Sequence, residues 1–456
     1  MQTHSWALAA ALAVAVAGTA RAAEDEQLAK RLEWFKDQKF GLFMHWGIYS
    51  QMGCIESWPL VWADRSWGNP SIKTMDEMVA FRKKYWGLSG TFNPTAFEPE
   101  AWAKIAKRAG MKYVMFTTKH HDGFCMFDTK QTDYKVTAGE CPWSKSGRAD
   151  VAKAVFAAFR AEGFGIGAYF SKSDWHHAAY WDPERPAMDR NPNYDTAKEP
   201  ARWEQFVKFI HGQIEELMTG YGRIDILWLD GGQVRPPTQD VRMDELAAMA
   251  RRHQPELIIV DRTAGTKHEN YRTPEQEVPE KPLAYAWETC MTMGKQWSYK
   301  ADDEYKSTRQ LIHLLADIVA KGGNFLLNVG PGPDGKLPAE AVKRLEEMGA
   351  WMAVNGEAIY GTRPVAPYKA GRVAFTKKGQ VVYAIYLLEE GKEGLPERIA
   401  VVGPRPAAGS SAQLLGFAGE LKWQEADRGT VVEMPAAAVE RPPCKHAFVL
   451  KLTGWK

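Results

Sequence analysis

The chain predicts an irregular (β/α)8 barrel of the TIM type followed by a C-terminal antiparallel β-sandwich. Three observations lead there. Through about residue 366, short apolar runs of strand length alternate with amphipathic helical patterns, which calls for parallel strands covered by helices. Polar and titratable residues collect at the C-terminal ends of those runs, where the βα loops of a barrel converge. From about Tyr368 the texture changes to short strand-like runs divided by Gly, Pro and charged turns. A length of 456 residues exceeds what one core holds comfortably. The expected division is residues 1–22, 23–366 and 367–456.

The first strand is Phe40 to Trp46, an apolar run ending at His45-Trp46-Gly47. A long polar loop follows, with Glu56, Trp58, Trp62 and Trp67, and so long a loop in a compact domain points to a functional or lid-like role. In the helix from Glu98 to Ala109, Trp102, Ile105 and Ala106 share one face, and Gly110 ends it. Met111 to Thr118 is the second strand and delivers Lys119-His120-His121-Asp122-Gly123. Asp150 caps a helix whose stripe is Val151, Val155, Phe156 and Phe159, and Phe164 to Ser171 is the third strand. A polar loop with Asp174, Trp175, His176 and His177 leads to a periodic helix through Trp203, Phe206, Ile210, Ile214 and Leu217.

Ile224 to Asp230 reads as the fourth strand, apolar enough for burial on both faces and broken by Gly231-Gly232. A helix around Met243 to Arg252 precedes the fifth strand, Leu257 to Val260, which ends at Asp261-Arg262. The polar segment Thr263 to Pro282 carries Thr273-Pro274-Glu275-Gln276, and Leu283 to Trp287 is a short sixth strand ending at Glu288. A helix near Arg309 to Ala320 and the strand Asn324 to Val329 make the seventh unit. Pro338 then opens a helix with Val342, Leu345 and Met352 on its face. No eighth strand is apparent, hence the expected irregularity. The sandwich strands are Val373 to Phe375, Val381 to Leu387, Arg398 to Val402, Ala412 to Leu415, Val431 to Met434 and Ala447 to Leu452.

Composition narrows the function. The 58 basic and 56 acidic side chains nearly cancel, and no block of one sign suggests a nucleic-acid or membrane-surface partner. Eighteen tryptophans supply flat apolar faces of the kind that stack on sugar rings, beyond those needed for the core. Cys54, Cys125, Cys141, Cys290 and Cys444 form no CxxC pattern and are expected mostly free and buried. Trp6 to Ala17 is uncharged and is followed by Ala20-Arg21-Ala22, a small-x-small cleavage pattern. So short an apolar run cannot cross a bilayer, so residues 1–22 read as a signal peptide, and the mature chain is expected to be secreted or periplasmic.

His45, His120, His121, Tyr169, Trp228, Asp230 and Arg262 share the strand-end location. Asp230 does not decide the chemistry by itself. Cleavage of a glycosidic bond with retention needs an ionised carboxylate as nucleophile and a protonated carboxyl as acid, roughly 5 Å apart. Glu275, in a polar loop, and Glu288, between Trp287 and Cys290, are the two candidates for the second. Adjacent residues of a strand face opposite ways, so His120 and His121 reach one site only where the strand has begun to unwind. Two histidines and an aspartate could bind a metal, but no HxH or HExxH spacing is present, and hydrogen bonding to sugar hydroxyls is the preferred reading. The competing class is a carbohydrate-binding protein without catalysis, which would need neither carboxylate.

Phe43-Met44-His45-Trp46-Gly47, Thr118 to Gly123, Ile226-Leu227-Trp228-Leu229-Asp230, Asn324 to Pro331 and Asn355 to Gly361 together resemble the family 29 α-L-fucosidases. The resemblance covers about residues 32 to 365. It implies a retaining hydrolase that removes terminal α-L-fucose from fucosylated oligosaccharides or glycoconjugates, without cofactor or metal. By this resemblance Asp230 is the nucleophile, and His45, His120, His121, Tyr169, Trp228 and Arg262 bind fucose. Thr273-Pro274-Glu275 looks like the motif that supplies the acid/base in several members, and Trp287-Glu288-Thr289-Cys290 matches a signature motif also proposed for it. We assign Glu275, with Glu288 as the alternative. Glu56 and Trp58 resemble, with one inserted residue, a Glu-Trp pair that closes over fucose, and Trp297 stands where members carry an aromatic wall. An apolar closure over Glu275 is expected to keep it protonated.

Overall fold

The structure is a computed structural model and describes residues 25–62 and 71–456. The expected signal peptide and Trp67 lie outside the described residues. Seven strands form one sheet: Phe40–Met44 (β1), Tyr113–Lys119 (β2), Gly165–Ser171 (β3), Ile226–Asp230 (β4), Ile258–Asp261 (β5), Glu288–Thr292 (β6) and Asn324–Asn328 (β7). Their spatial order is β5-β4-β3-β2-β1-β7-β6, and every pairing is parallel. Parallel neighbours need crossovers, and helices supply them. A helix through residues 25–38 (α1) precedes β1, and Met75–Trp86 (α2) and Pro99–Arg108 (α3) lie between β1 and β2. Val151–Ala161 (α4), Pro200–Gly220 (α5) and Met243–His253 (α6) follow in turn. Thr308–Ala320 (α7) joins β6 to β7, and Ala339–Asn355 (α8) follows β7. Asp150 caps α4 by accepting the Lys153 N–H at 3.0 Å, and the expected stripe of α5 is buried along its length.

Between β5 and β6 the described residues contain no helix. The segment 270–276 runs there instead as an irregular seam. On one side, Asn270 donates its N–H to the Ile259 carbonyl at 3.0 Å while its side-chain oxygen accepts the Ile259 N–H at 2.8 Å. On the other, the Glu288 and Cys290 N–H groups donate to the carbonyls of Arg272 and Pro274, and the Gln276 N–H donates to Cys290. The open edges of β5 and β6 are thus tied together by an irregular stand-in for an eighth strand.

One expectation is corrected here. Leu283 to Trp287 is not the sixth strand; β6 begins at Glu288, so that residue opens a strand rather than ending one. The reason is the partner: β7 starts at Asn324, whose N–H bonds the Trp287 carbonyl, and the ladder begins only there. Three α-helices also lie where none is expected, α1 before β1, α2 in the loop after β1 and a short one at Ala436–Glu440 (α9) in the C-terminal unit.

Alternation along the strands fills the barrel. Phe43, Tyr113, Met115, Tyr169, Ile226, Trp228, Ile258, Val260 and Leu326 make one interior cluster. Gly41 leaves the room that the Tyr113 ring occupies, since a Cβ there would come within 2.4 Å of it. Phe35 of α1 stacks on Tyr271 with ring centroids 4.1 Å apart and closes the floor. Arg31 of α1 pairs with buried Asp225 at 2.7 Å, just before β4.

The C-terminal unit has a five-stranded antiparallel sheet, Pro406–Leu414 (β12), Ala447–Trp455 (β15), Val381–Leu387 (β10), Val373–Lys378 (β9) and Arg363–Ala370 (β8), in that spatial order. A three-stranded sheet of Arg398–Val401 (β11), Gly429–Glu433 (β14) and Trp423–Ala426 (β13) completes it. Val382, Ala384 and Leu450 of the larger sheet share a core with Ile399 and Val432 of the smaller. The other face of the larger sheet, Tyr383, Ile385 and Val449, joins the core of the barrel helices.

Candidate active site

At the C-terminal mouth of the barrel lies a cavity of about 510 Å³. Its wall is made by strand ends and by the loops after them. β4 presents Asp230, with 14% of the side chain exposed. The strand is paired on both sides, by Ser171 opposite Asp230 and by the Arg262 N–H donating to the Leu229 carbonyl, so the carboxylate has little positional freedom. Tyr169 donates its O–H to Oδ2 at 2.7 Å, the Gly231 N–H donates to Oδ1 at 2.7 Å, and Arg262 Nη1 lies 3.0 Å from Oδ1. Burial alone would raise the Asp230 carboxyl, but the Arg262 charge and these hydrogen bonds outweigh it and hold it well below the usual carboxylate range.

Three histidines line the same cavity. β2 ends at Lys119, so the following His120 and His121 leave the strand's alternation and both rings turn inward, 4.3 Å apart. His45 Nδ1 lies 2.8 Å from the side-chain oxygen of Asn328, whose amide nitrogen donates to the Trp297 carbonyl at 2.6 Å. The amide oxygen therefore accepts, His45 Nδ1 donates, and Nε2 is left as an acceptor. His121 Nδ1 sits 2.6 Å from Ser171 Oγ, which donates its own hydrogen to the Ser173 carbonyl, so the same reading holds there. His120 Nδ1 is held by Ser57 Oγ at 2.6 Å. Burial lowers His45 and His121 to about 4 and holds His120 well below the ordinary imidazole value, so all three are uncharged at neutral pH.

His120, His121 and Asp230 offer ligand atoms within 4.8 Å of one another and could hold a cation. Both oxygens of Asp230 are already bonded, one of them to a guanidinium that would face any ion placed there. The donor set suits hydroxyl groups, which give and accept hydrogen bonds without adding charge.

Aromatic walls complete the cavity. Trp228 stacks with Tyr169 at 5.3 Å and carries the Arg262 guanidinium 5.1 Å from its ring centroid. Trp297 packs on His45 at 5.0 Å. Trp58 has the Arg190 guanidinium at 4.6 Å. Glu56 is buried at a backbone φ of 24°, accepts the Ser298 N–H at 2.8 Å, and is pushed by burial up to about 8.

The two candidate partner carboxylates are placed very differently. Glu275 comes from the seam, lines the cavity and pairs with Arg262 Nη2, so one guanidinium joins it to Asp230. Its side chain is 39% exposed, and the expected apolar closure is corrected: Glu275 stands on the rim, where solvent reaches it. Glu288 is buried at the opposite, N-terminal end of its strand and outside the cavity lining. It accepts from Tyr113 O–H at 2.6 Å, Tyr271 O–H at 3.2 Å and Trp228 Nε1 at 3.3 Å, and burial raises it to about 7. From that position it holds the indole of Trp228 from below. Sequence reasoning misses Asn328, Ser57 and Ser171, which orient the histidines, and Arg190 and Arg235 on the rim. Asn328 follows the strand-end rule that found the others, whereas the two arginines lie in long loops without periodicity.

Residues 8–357 match the family model described as Alpha-L-fucosidase, and residues 368–453 match the Alpha-L-fucosidase C-terminal domain. The plasma alpha-L-fucosidase of Rattus norvegicus is 30% identical over 440 residues, covering 92% of this chain and 91% of that protein. For the tissue alpha-L-fucosidase of Homo sapiens the identity is 28%, with 93% and 89% covered. Among solved structures, alpha-L-fucosidase isoenzyme 1 from Paenibacillus thiaminolyticus has a TM-score of 0.76 at 32% identity, covering 94% of this chain and 99% of its own. The Thermotoga maritima alpha-fucosidase in complex with fucose has a TM-score of 0.73 at 27% identity, with 92% and 96% covered.

Proposed function

The chain belongs to the alpha-L-fucosidase family of glycoside hydrolases, and on that premise we propose that it removes terminal α-L-fucose by double displacement with retention of configuration. The observation that carries this reading is the single guanidinium of Arg262 between Asp230 and Glu275. A planar fork that touches both carboxylates brings them to one end of the cavity, the pairing that a retaining site, with carboxyls roughly 5 Å apart, needs. Asp230, kept ionised, attacks the anomeric carbon and forms a covalent fucosyl ester. Glu275 protonates the departing oxygen, then takes a proton from the water that releases fucose.

The contact between Arg262 and Glu275 lies where the glycosidic oxygen must arrive. An entering sugar displaces it and takes the place of solvent, and Glu275 then becomes protonated in a drier setting. His45 and His121 accept from fucose hydroxyls through Nε2, and Trp228 and Trp297 face the apolar 6-methyl group. A carboxyl at Glu56 that stays protonated to about pH 8 adds a hydrogen-bond donor without adding charge. Export, with cleavage near Ala23, accords with the composition of residues 1–22, and N-terminal sequencing of the mature protein checks it.

The anomer released first tests the mechanism. Nuclear magnetic resonance during hydrolysis of an aryl α-L-fucoside should show α-fucose appearing before mutarotation. Initial β-fucose would overturn double displacement.

A further inference from the structure

We infer that Tyr85 and Asp122 are positioning residues for the loop that carries Glu56 and Trp58: the Asp122 carboxyl donates its hydrogen to the Tyr85 phenol, and the phenol donates its own to the Glu56 carbonyl. Glu56 and Trp58 line the cavity, whereas Tyr85 and Asp122 stand behind that lining and act through the loop. The inference rests on the reading above in one respect, that Glu56 meets the bound sugar.

The relay follows from counting hydrogens. Tyr85 is buried in the last turn of α2. Its oxygen lies 3.0 Å from the Glu56 carbonyl and 2.9 Å from Asp122 Oδ2. A phenol has one hydrogen to give, while a carbonyl and an ionised carboxylate have none. With Asp122 ionised, the phenol could serve one of these acceptors fully and not the other. With Asp122 protonated, each contact holds its own hydrogen. Asp122 Oδ1 accepts the Phe124 N–H at 3.1 Å, so the acid hydrogen belongs on Oδ2. The Cys54 thiol, 3.6 Å from the Glu56 carbonyl, is a weak donor and no substitute for the phenol.

The surroundings favour the neutral acid. Asp122 is buried, and among the described residues no cation forms an ion pair with it. The Lys119 ammonium is taken up instead by Asp174 at 3.1 Å and by the Gln213 side chain at 3.0 Å. Burial, with the Asp174 charge adding to it, pushes Asp122 up to about 7. The loop in turn needs support from outside itself. Glu56 has a φ of 24°, a backbone region that residues with a Cβ rarely adopt, so surrounding contacts must hold it there. The Tyr85 phenol does so at the Glu56 carbonyl, and the Asp122 N–H donates to Ser57 Oγ at 2.9 Å. Asp122 thus grips two successive residues of the loop, one through its side chain and Tyr85, the other through its backbone.

Fucose release from an aryl α-L-fucoside, and its competitive inhibition by free L-fucose, test this at about pH 5.5, where a carboxyl lifted to about 7 holds its proton. Tyr85→Phe should raise KM and the fucose inhibition constant about fivefold to tenfold, with kcat within about threefold of wild type, because the lost hydrogen bonds position a binding group. Asp122→Ala should do the same. Asp122→Asn should stay within about twofold of wild type, since its amide nitrogen can donate to the phenol while its amide oxygen accepts the Phe124 N–H. An ionised Asp122 predicts otherwise, because the amide would then set a donor against either the phenol hydrogen or the Phe124 N–H. Asp122→Asn as impaired as Asp122→Ala therefore overturns the relay. So does a Tyr85→Phe enzyme whose KM and inhibition constant are unchanged, or one in which kcat alone falls. If Tyr85→Phe does not fold, the comparison of Asn with Ala at position 122 decides. Glu56→Ala separates the two readings: if it leaves fucose binding unchanged, the role of Glu56 falls and the inference with it; if it weakens binding while Tyr85→Phe does not, only the inference falls.

Discussion

Two carboxyls in one cavity are set to opposite charge states by what surrounds them. Asp230 is ionised because a guanidinium, a phenol and a backbone N–H all point at it; Glu56 has a single backbone donor and stays protonated. Replacing Asp230 with Ala should lower turnover of an aryl fucoside on the order of 10³-fold or more. Azide should restore turnover and yield β-fucosyl azide, and an Asp230→Ala enzyme that keeps its activity unaided would remove the residue from the nucleophile role. Glu56 gives a pH signature. Its folded value of about 8 lies above the ~4.3 of an unfolded Glu, so between those values the folded state holds a proton that the unfolded state has released. Its contribution to stability is therefore full below that window and is lost as pH rises through it. Glu56→Gln removes the titration, and its melting temperature should improve relative to wild type from pH 5 to pH 8. A constant difference across that range would count against a protonated Glu56.

At the scale of elements, the seam between β5 and β6 separates the two partner candidates. Glu275 sits on it at the mouth, while Glu288 anchors Trp228 near the floor. Glu275→Ala should slow substrates with poor leaving groups far more than activated ones. Glu288→Gln should lower activity to a similar degree for both and cost about 1–3 kcal/mol of stability measured by denaturant unfolding, because three buried donors lose their ionisable acceptor. Leaving-group dependence in the Glu288 variant, with none in the Glu275 variant, would exchange their roles. The seam also marks how far the sequence is legible. β2, β3 and β4 are continuous apolar runs, and the residues just past such runs, His45, His120, Asp230 and Arg262, can be placed at a common mouth from that alone. β6 is different: it opens with a glutamate whose acceptable burial depends on Tyr113, Tyr271 and Trp228 from three other segments. α2 is hidden for a related reason, since Met78, Arg82 and Tyr85 are its buried positions and the arginine breaks the apolar stripe. The reach of Glu275 toward Arg262 likewise depends on hydrogen bonds to β6 that no local pattern specifies.

For the whole molecule, the C-terminal unit is part of the barrel's cover. Trp351 of α8 is buried and donates its indole N–H to the Ala447 carbonyl at 2.8 Å, and His313 of α7 bonds the His446 carbonyl at 2.9 Å. Trp351→Ala should destabilise the chain by about 3–5 kcal/mol, as deletion of a buried aromatic does, and chemical denaturation should show barrel and sandwich unfolding together. Two separate transitions in the wild type would mean that the units are energetically independent. The same architecture assigns unequal tolerance to insertion. One extra residue within β4 would turn Asp230 to the outer face of the sheet, because strand periodicity is two. Extra residues in 279–282, beyond the Thr289 Oγ1 hydrogen bond to the Glu277 carbonyl and before β6, would only lengthen a partly exposed connection. Laboratory evolution toward bulkier leaving groups therefore has a natural place to cut and lengthen the chain, one that leaves the strand of Asp230 untouched.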